Sequence, residues 1–219
     1  MKKLSITLIM AFFSLSTFAA EKHAYGANRD DGRPGRYAEG INAPIIREKI
    51  EYYDIEGISE KDLVCQLREK GCRTKDGGTY DSITRWRITW DYGYDRTSRG
   101  CAADDFQASI AITYTFPRWV ETDAMQAPLV DSWKRYLMNL VLHEKGHRDM
   151  AIDAVVDLSL DVADLPPFPR CSDLDRAIRS IARQRTEKLN EDSRTYDAAT
   201  GHGATQGAAF PQKVDLRLR

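Results

Sequence analysis

The chain has 219 residues, 42% of them hydrophobic, enough for one domain with a single core and extensions. Its 32 basic and 33 acidic residues nearly cancel. That balance argues against a nucleic-acid partner, which favours a net basic domain.

Residues 1–22, MKKLSITLIMAFFSLSTFAAEK, have a basic start at Lys2 and Lys3, an apolar run from Leu4 to Phe18 and small residues after it. This is the layout of a secretory signal peptide, and the run is too short for a good membrane span. Thr17 and Ala19 supply the small residues a signal peptidase needs, so cleavage is expected after Ala19. No cysteine follows the run, which argues against a lipid anchor; the membrane is met only through the export signal. Loss of Lys2 and Lys3 takes the formal charge from −1 to −3. The mature chain is expected in the periplasm or outside the cell, where cysteines can pair. Cys65, Cys72, Cys101 and Cys171 allow three connectivities. Cys65 and Cys72 are near neighbours whose encounter costs little entropy. The expected bridges are therefore Cys65–Cys72 and Cys101–Cys171.

Residues 20–44 are rich in Gly, Pro, Arg and Asp and show no hydrophobic period, which predicts a flexible arm. IIREKIEYYDIEG (45–57) reads as a strand. SEKDLVCQLREKG follows as a short helix, with Ser59 as N-cap, Asp62 three residues on and Gly71 as the stop. Trp86, Ile88, Trp90, Tyr92 and Tyr94 then alternate with mostly polar residues, as do Phe106, Ala108, Ile110, Ile112, Tyr114 and Phe116. Period two over that length predicts a long antiparallel strand pair with one aromatic face packed on the core. A long helix is expected from Pro128 to about Val162. A last helix is expected from Ser172, as N-cap, to about Tyr196; its Arg176, Arg179 and Arg183 read as a solvated flank.

The chemistry lies in LVLHEKGHRDM, residues 140–150. Positions four apart on a helix differ by about 40°, so His143 and His147 share one face and can grip one tetrahedral zinc. Glu144 stands about 100° round, beside the ion, where a base can take a proton from an activated water. This His-Glu-x-x-His pattern marks zinc peptidases. Tyr136, Leu140, Met150, Ala151 and Ala154 fall near the same direction, so that face is expected to be buried. The alternative is a pair of core histidines satisfied by backbone carbonyls.

A catalytic zinc takes three protein ligands and keeps one open position. Asp153 is six residues after His147, but on an unbroken helix it points about 80° away from His143 and cannot reach. Asp157 and Asp161 are farther still. His202 is flanked by Gly201 and Gly203, which would let the backbone approach a metal or another chain closely. From composition alone it reads equally as a solvent histidine in a Gly-rich tail. His23, in the arm, is given no role.

HEKGH at 143–147, Cys101 after the Trp/Tyr-rich strand, and YDAATGHG at 196–203 together resemble a family of predicted secreted bacterial zinc-dependent proteases, domain of unknown function 922. The resemblance covers roughly residues 45–212. It implies a zincin-type peptidase with one zinc per chain held by His143, His147 and His202, and Glu144 as the base. It makes Tyr196 a candidate second donor to the oxyanion, against a packing role at the helix end. Asp197 could orient a ligand imidazole or cap the turn. The expectation is an α+β, zincin-like fold with an antiparallel hairpin against two helices. The expected divisions are a signal peptide (1–19), an arm (20–44), a metallopeptidase domain (45–212) and a tail (213–219). The expected partner is a peptide or protein substrate. Two other functions fit the same residues: a non-catalytic zinc-stabilised envelope protein, and a zinc hydrolase of another amide, such as cell-wall peptide.

Overall fold

The structure is a computed structural model that describes residues 42–74, 77–120 and 126–211. The expected signal peptide, all but the last three residues of the expected arm, and the tail lie outside them.

The elements run β1 (Ile45–Ile55), α1 (Glu60–Lys70), β2 (Cys72–Arg73), β3 (Thr79–Tyr80), β4 (Ile83–Thr97), β5 (Gly100–Trp119), α2 (Ala127–Ala163) and α3 (Cys171–Thr200), then a 3-10 turn at Ala204–Gln206. The described residues are thus of mixed α+β type, with a small three-stranded sheet, a two-stranded pair and three α-helices. Among the described residues no helix is long and apolar enough to cross a membrane.

β4 and β5 form the expected antiparallel pair, with Trp86 opposite Ile112 and Ile88 opposite Ile110. β1 corrects the expectation of a purely antiparallel sheet: it pairs with β5 in parallel, giving the order β1-β5-β4. A parallel neighbour needs a long crossover, and here α1, the short β2–β3 pair and β4 intervene. The buried face of β5 carries Phe106, Ala108, Ile110 and Ile112, which pack in one core with Leu140, Val155 and Leu158 of α2 and Leu174 and Ile178 of α3. Alternate residues of β1 and β4, among them Arg47, Lys49, Arg85 and Arg87, are exposed on the other face.

α1 begins with the expected capping box between Ser59 and Asp62. It buries Leu63 and Leu67. Cys65 lies about 200° from each of these on the helix and is exposed. Cys72, at the start of β2, is buried. The expected Cys65–Cys72 bridge is therefore not formed, because the two thiols face opposite sides of the chain. Cys101 and Cys171 are bonded. Backbone hydrogen bonds in both directions between Cys101 and Phe168 bring the start of α3 to the start of β5.

α3 starts one residue before the expected cap, and Arg170 occupies the N-cap position without a side-chain bond. Asp175, in the first turns of α3, accepts from the hydroxyls of Tyr92 at 2.7 Å and Tyr94 at 2.9 Å. Farther along, Arg185 joins α3 to α2 through Asp161 at 2.6 Å and Asp157 at 3.0 Å.

Candidate metal centre

α2 carries the motif in its middle, as one unbroken helix of 37 residues. His143, Glu144 and His147 are all buried, at 3%, 3% and 6% exposure. Helical spacing puts the two imidazoles one turn apart, with ring centroids 4.9 Å from each other. α3 supplies the opposing wall. Its inward stripe of Leu174, Ile178, Ala182, Leu189 and Ser193 continues four residues on to Asp197.

Both imidazoles aim the same nitrogen at one carboxylate oxygen. His147 Nε2 is 3.0 Å and His143 Nε2 is 3.2 Å from Asp197 Oδ1. The other ring nitrogens are held from outside. His147 Nδ1 lies 2.8 Å from Ser193 Oγ, and His143 Nδ1 lies 3.0 Å from Gln206 Oε1. The Gln206 amide, its oxygen toward the ring, also meets the Tyr196 hydroxyl, 3.0 Å from Nε2 and 3.3 Å from Oε1. An amide oxygen only accepts, so His143 Nδ1 is the donor there.

This assignment has a consequence at the other nitrogen. A neutral imidazole has a single N–H. With that proton on Nδ1, His143 Nε2 and Asp197 Oδ1 turn lone pairs toward each other. The arrangement is stable only with positive charge between them, either a second proton on the ring or a cation shared by both groups. The protonation equilibria of the metal-free site agree. Burial pushes His143 down, but hydrogen bonds to Asp197 and Gln206 outweigh it and hold the ring above its ordinary range. Burial pushes Asp197 up, but the hydrogen bonds to His143 and His147 prevail and hold the carboxyl well below the usual carboxylate range.

Two imidazoles and one carboxylate oxygen match the donors of a tetrahedral divalent-metal site with an open position, each histidine steadied by an outer partner. Among the described residues, His143, His147 and Asp197 form the one group of three whose ligand atoms lie within 4.8 Å of one another. These residues therefore fit a metal ion.

Glu144 points to β4. Its Oε1 accepts from Ser82 Oγ and its Oε2 from Thr84 Oγ1, each at 2.5 Å. A carboxylate has about four lone-pair positions, so two remain for a water or substrate. The same residues line a cleft of about 480 Å³ with Tyr80, Trp86 and Arg194. Asp81 also lines it. Burial raises the Asp81 carboxyl above its ordinary range, against a hydrogen bond from the Tyr136 hydroxyl.

His202 lines this cleft too, half exposed, with Nδ1 3.6 Å from Asp197 Oδ1 and its ring 4.6 Å from that of Tyr80. It stands beside the tight group and outside it. Gly203 shows why a glycine is needed here: at φ +81° it packs so closely that a Cβ would meet the His143 ring at 2.9 Å. Tyr196 lies behind the histidines. Its ring stacks on His143 with centroids 5.0 Å apart, and its hydroxyl donates to the His143 carbonyl at 3.3 Å. It is not among the residues that line the cleft.

Sequence reasoning missed Ser82, Thr84, Ser193 and Gln206. Three of these left a signal. The inward alternation of Trp86, Ile88 and Trp90, carried back along the strand, falls on Thr84 and Ser82, polar groups at core-facing positions. Ser193 sits on the inward stripe of α3 one turn before Asp197. Gln206 left none.

Compared with known proteins, residues 50–203 match a family model described as "Bacterial protein of unknown function (DUF922)". No curated protein and no solved structure matches the chain.

Proposed function

The chain belongs to this bacterial family of unknown function, and from that premise we propose that it is a zinc-dependent, zincin-like peptidase of the bacterial periplasm or exterior. The observation that carries the reading is the convergence of His143 Nε2 and His147 Nε2 on Asp197 Oδ1, 3.2 and 3.0 Å away. His143, His147 and Asp197 hold the zinc, one per chain. Bound there, the ion would supply the Lewis acidity that makes water a nucleophile at neutral pH.

Glu144 is the base that takes the proton from the attacking water, and it passes that proton to the leaving amine. Ser82 and Thr84 hold its carboxylate in place. Ser193 and Gln206 hydrogen-bond the Nδ1 atoms of the two histidines, which turns both Nε2 atoms toward the ion's place. The basic and apolar leader at residues 1–19 supports export.

The test is metal analysis and peptide hydrolysis on the exported chain and on Glu144→Gln. One zinc per chain is expected in both. Cleavage of an unfolded protein is expected to stop with a chelator and to fall at least about 100-fold in the variant. A variant that cleaves at the original rate removes this mechanism.

One observation favours a second reading. Both oxygens of Glu144 are engaged by the hydroxyls of Ser82, just before β4, and Thr84, which suits a metal site that only ties α2, α3 and β4 together. Metal-dependent melting without hydrolysis of protein or cell-wall peptide substrates would select it.

A further inference from the structure

The sheet has an open edge that leads into the cleft. β4 is an outer strand. Over Ile83–Trp90 its outward edge has no backbone partner among the described residues, and its register with β5 shifts only beyond this stretch, between Asp91 and Gly93. An edge of this kind is a template for another extended chain. Ser82, Ile83, Thr84 and Trp86 line the cleft, and Ser82 and Thr84 hold Glu144.

Side chains alternate along a strand, so Arg85 and Arg87 point away from Thr84 and Trp86, to the uncovered face of the sheet. Both are exposed. Behind Arg87 in register come Ala111 of β5 and Arg47 of β1; behind Arg85 come Thr113 and Lys49. Four cations thus occupy two adjacent rows, separated by small side chains. The acids on the same face are Glu51, taken up by Lys49 at 2.7 Å and also feeling Arg85, and Asp91, four residues beyond Arg87 along β4. Arg47, Arg85 and Arg87 make no hydrogen bond or salt bridge among the described residues. Among the described residues, cations outnumber acids on this face, in a chain whose net charge is −1.

We propose that β4 binds an extended peptide as an added strand, and that it selects peptides with acidic side chains at two alternate positions, beside Arg85 and Arg87. The inference rests on the peptidase reading and names its substrate class. Main-chain hydrogen bonds to the edge give affinity without sequence preference, and alternate side chains give the choice. Side chains of an added strand lie about 4.5–5.5 Å from those of β4, close enough for opposite charges to favour pairing and like charges to oppose it.

The test uses the zinc-loaded Glu144→Gln chain, so that binding is read without turnover. Labelled eight-residue peptides carry Glu, Gln or Lys at two alternate positions, and fluorescence anisotropy reads their binding. The Glu peptide should bind about tenfold more tightly than the Lys peptide, the sum of two cross-strand pairs, and added salt should narrow the gap. Arg85→Glu with Arg87→Glu should invert the order. Should that variant melt abnormally, Arg85→Gln with Arg87→Gln should abolish the preference instead. Methylation of alternate peptide nitrogens should weaken binding in one of the two registers. An order unchanged by the arginine substitutions, or binding indifferent to methylation in both registers, overturns the proposal. Hydrolysis of the same peptides by the unaltered chain separates the two levels. Cleavage that ignores peptide charge removes this inference and leaves the peptidase; selective binding without cleavage keeps the surface and removes the peptidase.

Discussion

Asp197 Oδ1 lies 3.0 Å from His147 Nε2, across the gap between the two longest helices. That one contact makes α3 part of the candidate metal centre. Asp197→Ala should therefore weaken zinc binding by more than the 10- to 100-fold typical of losing an outer partner. His202→Ala should leave zinc content near one per chain, because His202 stands outside the tight group. Metal analysis after dialysis against a weak chelator measures both. Equal losses in the two variants would restore His202 to the ligand set.

The two histidines on α2 were legible because they lie on one helix, where spacing alone fixes direction. Asp197 as a candidate third donor was not, because its place depends on where a second helix ends. Ending α3 near Tyr196 leaves Asp197 in a turn. Its continuation to Thr200 puts Asp197 on the inward face, one turn after Ser193, with Gly201 in the left-handed region as its stop. The β4–β5 pair could be read from period two, since both strands show one buried face. The parallel pairing of β1 could not, because a strand's own pattern does not record its neighbour's direction. The Cys65–Cys72 expectation failed for a similar reason: closeness along the chain says nothing about which face of α1 a thiol occupies.

Ser82 and Thr84 donate to the two oxygens of Glu144, the base of the proposed mechanism. They are positioning residues. Ser82→Ala with Thr84→Val should lower kcat by about 10- to 100-fold, the range for lost support around a metal site. KM and zinc content should change little. Thr84→Ser, which keeps the hydroxyl, should recover most of the rate. A loss of zinc together with rate would show instead that the pair maintains the fold of α2.

Gly146 fills a wildcard position of the motif for a packing reason. A Cβ there would meet the Tyr196 hydroxyl oxygen at 2.4 Å and its ring at 2.5 Å. Tyr196 is held there by its stack on His143 and by hydrogen bonds to the His143 carbonyl and to Gln206. Gly146→Ala should cost about 1–3 kcal/mol by overpacking, although alanine is the better helix former. Tyr196→Phe keeps the ring and should retain most activity, since the hydroxyl faces the His143 carbonyl and not the cleft. Denaturant melts and peptide hydrolysis distinguish these two outcomes.

The disulfide closes a loop of 70 residues that spans nearly all of β5 and the whole of α2. Chain-entropy arguments give a bridge of that span on the order of 4 kcal/mol. Reduction, or Cys101→Ser with Cys171→Ser, should lower the melting temperature markedly, whereas Cys65→Ser should leave it near the original, since Cys65 is exposed and unbonded. Matched thermal melts with and without reductant measure the contrast.

Acidity should separate the metal-free from the metal-loaded protein in a definite direction. In the metal-free chain the ring of His143 titrates above its ordinary 6.5, so its stabilising contribution is complete below that pH and is lost as pH rises through the raised value. Asp197 titrates below its ordinary 3.8, so its contribution is present above that pH and is lost on acidification through the lowered value. Together they favour the metal-free fold most between pH 3.8 and 6.5. Zinc must displace the proton on His143, so its binding strengthens as pH rises through the same titration. The gap in melting temperature between zinc-loaded and chelated protein should therefore be small near pH 5.5 and widen steadily toward pH 8. A gap that stays constant over that range would mean that neither histidine changes protonation when the metal binds.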